Sequence, residues 1–323
     1  MVSWRNLDLQ TRRRIGQVGF FLLFLLAPAL NLFRFDLTET QLWVLGRPWS
    51  LGIDALIRHE VSPAQAAWAL VWRGLMPIAL LAAVFLAVAW RYGRLYCGWL
   101  CPHFSVVELL NSLLHKAIGK FSLWDTHRTP RRDRAGRALA PDRRWGPVFV
   151  LACGVMGFVW AITLLSYLLP PWRVWSHLWH GMLTPAEARF LGIGTAVFTT
   201  EFLLARHLFC RFGCAVGYFQ SLMWMANPKG MVVAFQRDRA RECRTCDLPV
   251  GSACDNTCPM RLHPRNIKRM MFSCVQCGQC VSQCAQSQTR QQRTPVLTWV
   301  VGVDAVRETL RQKKAEQRSV GED

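Results

Sequence analysis

Residues 274–284 read Cys-Val-Gln-Cys-Gly-Gln-Cys-Val-Ser-Gln-Cys, so that four thiols follow the spacing Cys-x2-Cys-x2-Cys-x3-Cys. In such a run three closely spaced thiolates wrap one iron–sulfur cubane, and the fourth points away to ligate a second cluster. Gly278 permits the tight backbone path around the cluster. Alanine follows Cys284, where proline is usual. The run therefore predicts a ligand loop of the bacterial ferredoxin type.

A wider run of four cysteines precedes this one, with the spacing x2, x7 and x3 and a proline after its last cysteine. Because the fourth cysteine of each run ligates the other cluster, we expect two [4Fe–4S] clusters. The first takes Cys243, Cys246, Cys254 and Cys284, and the second takes Cys258, Cys274, Cys277 and Cys280. Two Cys-x2-Cys pairs can also hold Zn²⁺. Zinc, however, does not require a fourth cysteine three residues after the third in both runs.

The composition indicates a membrane protein. Hydrophobic residues make up 52% of the 323 residues and charged residues only 18%, below the roughly 25% of soluble domains. Four apolar runs are long enough to cross about 30 Å of hydrocarbon as helices. These predicted spans are roughly residues 15–33, 66–90, 146–169 and 190–209.

The placement of basic residues predicts the orientation of these spans. The chain has 39 Lys and Arg against 20 Asp and Glu. The basic residues precede the first span, fill the connection 91–145 and follow the fourth span. The positive-inside rule then places both termini and residues 91–145 in the cytoplasm of a multi-pass protein of the bacterial inner membrane. A reducing cytoplasm also suits thiolate ligands rather than disulfides.

An alternative interpretation of the N-terminus is a signal peptide. Arg12–Arg14, an apolar stretch and Ala27-Pro28-Ala29 imitate its three regions. Cleavage there would leave three spans.

A short internal repeat marks the ends of two predicted hairpins. Arg94-Leu95-Tyr96-Cys97-x3-Cys101 matches His207-Leu208-Phe209-Cys210-x3-Cys214, and an apolar stretch able to form an interfacial helix follows each copy. On a helix, cysteines at i and i+4 share a face. Two such faces could hold another cluster or Cu(I), or cycle between dithiol and disulfide. Small buried cysteines packing the helix ends are the structural alternative, and packing is also what we expect of Cys153.

Several polar residues in or near the spans are candidates for function. Glu201 lies in the fourth span and could handle protons or quinol, or it could pair with Arg73 or pack by a hydrogen bond. His177 and His180 could bind copper, haem or quinone on the outer side, although interfacial packing beside tryptophans is the favoured interpretation.

These features together predict a mainly α-helical protein. Its four-span transmembrane bundle of two repeated hairpins, with both Cys-x3-Cys pairs, would occupy residues 1–230. A small cytoplasmic 2[4Fe–4S] ferredoxin-like domain would occupy residues 231–295, and a charged tail residues 296–323.

The sequence resembles the membrane polyferredoxins that include NapH, the membrane half of NosR, and CcoG (FixG/RdxA). The resemblance rests on Tyr-Cys-Gly-Trp-Leu-Cys-Pro at 96–102, Cys210-x3-Cys214, Pro-Lys-Gly at 228–230 and both ferredoxin runs. It implies electron transfer from quinol or a cytoplasmic donor to a partner redox protein, and in the CcoG branch reduction of Cu(II) for oxidase assembly. Residues 217–221 resemble CcoG, whereas Ala215 replaces the proline usual after Cys214, and the immunoglobulin-like domain expected at the end of CcoG does not follow.

Three functions follow from these patterns. The first is an electron-transfer subunit or quinol dehydrogenase, and the second is a copper-reducing assembly factor for a respiratory oxidase. The third is a zinc-stabilised membrane scaffold without a redox role. We expect lipid and a redox partner protein as contacts. Nucleic-acid binding is not expected, because topology accounts for the basic residues, and neither a P-loop nor a dinucleotide-binding Gly-x-Gly-x-x-Gly is evident.

Overall fold

A computed structural model describes residues 7–39, 41–130, 140–246 and 252–320 of the chain. Most of the x7 loop of the wider cysteine run, and the basic residues at 131–139, lie outside the described residues. The chain forms two compact units. We call residues 1–19, 88–151 and 204–323 the cysteine-rich unit, and residues 20–87 and 152–203 the apolar unit.

Three helical segments within the described residues are long and apolar enough to cross a membrane: Pro63–Tyr92, Trp145–Leu168 and Pro185–Ala205. Even the last, with 21 residues, is about 31 Å long at the rise of an α-helix. They lie where the second, third and fourth apolar runs were predicted. Length and composition are therefore consistent with a membrane protein.

The first predicted span is not among these helices. Helix α1, Leu9–Leu26, begins before the three consecutive arginines and ends well before residue 33. Its apolar part, residues 15–26, is only about 18 Å long, which is short for a hydrocarbon core of about 30 Å. The four-span bundle and the orientation of the termini consequently remain predictions.

A three-stranded antiparallel sheet follows α1 where the sequence predicted only a connecting segment. Its strands are β1 (Phe33–Asp36), β2 (Gln41–Val44) and β3 (Arg47–Trp49). Leu45 and Gly46 both have positive φ, as a two-residue type I′ turn between β2 and β3 requires.

Helices of the apolar unit begin at strong capping signals. Ser62 and Thr184 each form a capping box with the residue three positions later, and proline occupies the first turn of both helices. The helices that lie wholly or mostly in the apolar unit are α2 (Ile53–Ile57), α3 (Pro63–Leu70), α4 (Met76–Tyr92), α7 (Trp145–Leu168), α8 (Pro171–Trp179) and α9 (Pro185–Thr200). Two π-helical turns, Val71–Leu75 and Glu201–Ala205, continue α3 and α9.

Helices α7 and α9 approach each other closely at a glycine. A Cβ on Gly157 would lie 2.4 Å from Thr199 Oγ1 and 3.0 Å from its backbone nitrogen. Gly154, one turn earlier on α7, has nothing within 4 Å of the same position. The contact at Gly157 therefore depends on the missing side chain.

We expect Gly157→Ala to destabilise the protein and Gly154→Ala to leave stability unchanged or slightly raised. Overpacking costs about 1–3 kcal/mol, whereas alanine is the better helix former at an open site by up to ~1 kcal/mol. Thermal unfolding in detergent measures both. Equal melting temperatures for the two variants would contradict the close contact.

The cysteine-rich unit gathers short helices around a two-stranded sheet. Strand β4 (Val232–Phe235) pairs antiparallel with β5 (Leu297–Val300), with Val232 opposite Val300. Short 3₁₀ segments lie at Arg237–Thr245 and Lys268–Met271, and a π turn at Phe209–Gly213. The helices are α5 (Leu95–Trp99), α6 (Pro102–Ile118), α10 (Ala215–Ala226), α11 (Ala253–Thr257), α12 (Gln279–Thr289) and α13 (Val303–Val320).

The compact units divide the chain differently from the predicted domains. Residues 297–300 form a strand of the central sheet rather than the start of a tail, and Phe235 N donates a hydrogen bond to Glu308 on α13, 3.3 Å away. The helices α5, α6 and α10, which carry or follow the two Cys-x3-Cys pairs, also belong to this unit. The domain boundaries at 230 and 295 stay predictions, since compactness alone does not define a domain.

Candidate functional site

The loop of the narrow cysteine run turns sharply at Gly278 into helix α12. Gly278 has φ +70°, and a Cβ there would lie 2.6 Å from Trp299 and 2.8 Å from Leu9. Both the left-handed conformation and the lack of space exclude a side chain. This agrees with the tight path that the sequence predicted.

Four thiols of the two runs line one cavity. Cys258, Cys274, Cys277 and Cys280 line it together, with Met260, Leu262 and Trp299 among the apolar walls. These four are the set predicted for the second cluster. The donor chemistry fits a [4Fe–4S] cluster, for which cysteine thiolates are the usual ligands.

The other four ferredoxin cysteines also come together. Burial raises the pKa of Cys243, and the charges of Cys246 and Cys284 raise it further. Cys284 likewise adds to the pKa of Cys254, after the larger effect of burial. Electrostatic coupling of this kind requires neighbouring thiols. Cys243, Cys254 and Cys284 also pack in one apolar cluster, so the structure brings together three of the four cysteines predicted for the first cluster, from the first 3₁₀ segment, α11 and α12.

Burial keeps several of these thiols protonated at neutral pH. It raises the pKa of Cys254, Cys274 and Cys277 to about 12 in each case. Since metal ligation needs the thiolate, a bound metal must supply the energy that ionises these side chains.

The two Cys-x3-Cys pairs share a local geometry that the sequence did not predict. Cys97 lies within α5 and Cys210 within the π turn Phe209–Gly213, whereas Cys101 and Cys214 are the N-cap residues of α6 and α10. The two N-caps have ψ of 117° and 106°, far from helical values. The prediction that each pair shares one face of a continuous helix is therefore wrong, because the backbone leaves the helix at the second cysteine.

Side chains from each copy of the repeat contact the cysteine of the other copy. Gln220 Nε2, on α10, lies 3.3 Å from Cys97 Sγ. His103 Nδ1, near the start of α6, lies 3.6 Å from Cys210 Sγ. The thiol of Cys101 has its pKa raised to about 12, by burial first and then by Cys97 and Cys214. The four membrane-edge cysteines thus form one group.

This group lies directly against the narrow cysteine run. A Cβ on Gly98 would lie 2.1 Å from the carbonyl oxygen of Val275. Trp99 Nε1 donates to the carbonyl of Gln276 at 3.1 Å. Helix α5 and the 274–277 backbone are therefore in contact.

A buried polar network from α1 strengthens this contact. Arg13 is 1% exposed, and its Nε donates to Gly98 O at 2.7 Å. Its guanidinium pairs with Glu108 on α6, which also accepts from Gln279. Gln10 Nε2 donates to the Cys277 carbonyl at 3.2 Å. From the sequence alone, the basic residues of α1 were explained by topology. Arg13 is one of them, and it joins α1 to α5 and α6.

We expect Gly98→Ala to separate α5 from the 274–277 loop. The added methyl group would have to move the backbone, at a cost of about 1–3 kcal/mol or more. Iron retention during gel filtration and the melting temperature report the damage, and Gly146→Ala, which meets nothing within 4 Å, is the control. Iron content and stability equal to those of the control would contradict the close approach.

The remaining sequence candidates belong to the apolar unit. His177 Nδ1 lies 3.0 Å from the buried carboxylate of Glu187, which also accepts from Thr184 N at 2.9 Å. His180 Nδ1 contacts the Ser176 carbonyl of its own helix at 2.9 Å. The contact of His177 joins α8 to α9 and supports the packing interpretation, and His180 bonds within its own helix.

Glu201 and Cys153 lie within the apolar helices. Glu201 opens the π-helical turn Glu201–Ala205, a distortion often found at functional sites, and its proton or quinol role remains a prediction. Cys153 is fully buried, and its thiol lies 3.6 Å from the Phe202 carbonyl. Packing, as expected, accounts for Cys153.

His207, three residues before Cys210, is buried in its neutral form. Burial lowers its pKa to about 4, and the charge of Arg206 contributes. In the unfolded chain the pKa of this imidazole is about 6.5. The neutral folded side chain therefore contributes its full stability above pH 6.5. This contribution is lost as the pH falls toward 4, because the unfolded chain then binds a proton that the folded chain does not.

Between pH 7.5 and 5 the wild-type protein should therefore lose about 2 kcal/mol of unfolding free energy through His207, by the linkage of roughly 1.4 kcal/mol per unit of pKa difference. The His207→Gln variant, which does not titrate, should show a correspondingly smaller decline in melting temperature over this range. Parallel declines in the two proteins would show that His207 is not buried in neutral form.

Comparisons with known proteins agree with the chemistry of these cysteines. A family model described as a 4Fe-4S binding domain matches residues 74–120, a stretch that contains Cys97 and Cys101. The protein named "Putative electron transport protein YccM" from Escherichia coli (strain K12) is 23% identical over 225 residues, covering 65% of this chain and 54% of that protein. The chain thus spans about half the length of this relative. No solved structure gives a significant match.

The two matches support an iron–sulfur electron-transfer family, at least one [4Fe–4S] cluster and a role in electron transfer. They do not distinguish the NapH, NosR and CcoG branches.

Proposed function

We propose that this chain is a membrane-bound relay that passes single electrons through two [4Fe–4S] clusters to a partner redox protein or metal centre. The observation that carries the proposal is the cavity lined by Cys258, Cys274, Cys277 and Cys280. It unites the narrow run with the last cysteine of the wide run, as the crossed ligation of two-cluster ferredoxins requires.

The residues of the chain hold and shield the two sites. When bound, such clusters accept and release one electron each. Met260, Leu262 and Trp299 give the cavity of the second cluster apolar walls. Exclusion of water is one of the factors that set the reduction potential of a cluster.

The resemblance to NapH, NosR and CcoG supports quinol or a cytoplasmic protein as the electron donor. The basic connections support an orientation in the inner membrane with the cysteine-rich unit in the cytoplasm. Glu201 would accept protons if quinol is oxidised at the membrane.

A copper-reducing assembly factor is the second candidate function. The membrane-edge group of Cys97, Cys101, Cys210 and Cys214, with His103 beside it, favours it because soft thiolate and imidazole ligands suit copper. A zinc-stabilised scaffold receives less support. Zinc does not require the fourth cysteine that follows three residues after the third in both runs.

Removing the ferredoxin cysteines tests the relay. In anaerobically purified full-length protein, Cys274→Ala and Cys243→Ala should each lower the iron and acid-labile sulfide by about four per chain, since each change removes a ligand of a different cluster. The control Cys153→Ala should keep the wild-type content. Zinc without sulfide in the wild-type protein would refute the relay and leave the scaffold.

The donor is tested on the same preparation. Bleaching of the visible cluster absorbance by a reduced quinone would establish quinol as donor. Reduction by dithionite but not by quinol would leave a cytoplasmic donor. Clusters that neither reagent reduces would contradict electron transfer.

A further inference from the structure

Twelve of the thirteen cysteines fall into three groups of four in the folded chain. Two groups are the ferredoxin sets, and the third is Cys97, Cys101, Cys210 and Cys214. The last group is assembled from both copies of the internal repeat, which are more than a hundred residues apart. Packing of small side chains does not require four thiols in one place.

A buried arginine without a carboxylate partner lies in this third group. Arg94 is 2% exposed, and its Nη2 donates to the Cys210 carbonyl at 2.6 Å. Its side chain also hydrogen-bonds to the Cys97 thiol. Its Nε has no hydrogen-bond partner, and no ion pair with an Asp or Glu of the described residues involves it. A buried charge without compensation is costly, so the site calls for an anionic group.

The surrounding residues leave room for this arginine. A Cβ on Gly217 would lie 2.0 Å from Arg94 Nη2, so a larger residue at this position of α10 would displace the guanidinium. The cation lies beside the thiols of Cys97 and Cys210, which it favours in their ionised forms. The site is therefore built around a positive charge as well as around four sulfurs.

We propose that Cys97, Cys101, Cys210 and Cys214 bind a third [4Fe–4S] cluster, with Arg94 as its buried counter-charge. The inference rests on the proposed iron–sulfur function and extends it to the membrane edge. The family match described as a 4Fe-4S binding domain supports it, because residues 74–120 include Cys97 and Cys101 but neither ferredoxin run.

A cluster fits this group better than a single ion. A cubane holds its four thiolates farther apart than one metal does, and the ligands here come from two segments more than a hundred residues apart. Four thiolates on a monovalent copper ion would also leave more negative charge than four on the oxidised cluster core. One arginine then offsets a larger share of the cluster's charge.

The third site lies against the loop that carries Cys274 and Cys277, which would hold the second ferredoxin cluster. Gly98 and Trp99 lie against the backbone of residues 275–276, and the field of Arg94 reaches Cys274. The ferredoxin clusters would therefore exchange electrons with the membrane edge through the Cys274 side.

Iron counting tests the third cluster directly. Full-length protein, purified and reconstituted anaerobically with ferrous iron and sulfide, should hold about twelve irons and twelve sulfides per chain. A variant with all four membrane-edge cysteines changed to alanine should hold about eight, and Cys153→Ala should remain near twelve. Mössbauer spectra of the wild type should assign all the iron to [4Fe–4S] clusters.

A wild-type content of about eight irons would overturn the third cluster while the two-cluster relay stands. Copper bound to these cysteines at that iron content, or a disulfide between them found by thiol alkylation, would also overturn it. Because the wild-type count decides, the result does not depend on the folding of the variant.

The role of Arg94 is tested by measuring the reduction potential of the third cluster. Its signal is the one present in the wild type and absent from the four-alanine variant. Removing a nearby positive charge disfavours the reduced state. Arg94→Gln should lower the reduced-to-oxidised ratio at a fixed potential about tenfold, which corresponds to about 59 mV for a one-electron couple, and Arg94→Lys should restore most of it. A potential in Arg94→Gln equal to that of the exposed-site control Arg14→Gln would refute this role.

Discussion

The approach of Gly98 to the Val275 carbonyl is the constraint on which the arrangement of the cysteine-rich unit depends. Because no side chain separates the two backbones, α5 can lie against the ligand loop of the narrow run. Trp99 and the Arg13–Glu108 pair then hold this contact by hydrogen bonds. Helix α5, which begins three residues after α4 ends, thus lies beside the loop that carries Cys274 and Cys277.

Buried charge distinguishes two kinds of arginine in this unit. Arg13 has a carboxylate partner in Glu108 and serves to join elements of the structure. Arg94 has no ion pair with a carboxylate of the described residues, and its side chain contacts the Cys97 thiol instead. In an interior of low dielectric constant both charges need compensation. The chemistry of the neighbours therefore separates an arginine that supports the fold from one that prepares a binding site.

The internal repeat was recognisable from its cysteines, but its local geometry was not. Both copies place the second cysteine at the N-cap of the following helix. The first copy reaches this point through a short α-helix and the second through a π turn. A four-residue spacing is compatible with each of these paths and with a continuous helix. Only the backbone dihedral angles distinguish them, so the i, i+4 expectation was wrong.

Cysteine spacing and local residue chemistry predicted much by themselves: four thiols that line one cavity, a glycine at the tight turn of residue 278 and apolar helices at three of the four predicted spans. These features depend on residues near one another in sequence or on helix length, which local patterns encode. Only the tertiary structure decided that the two Cys-x3-Cys pairs meet and that Arg94 contacts a cysteine of each pair. It also decided that α1 ends at Leu26 and is followed by a β-sheet. Those outcomes depend on burial and on backbone approach between distant segments, and no spacing within a single stretch of the chain records them.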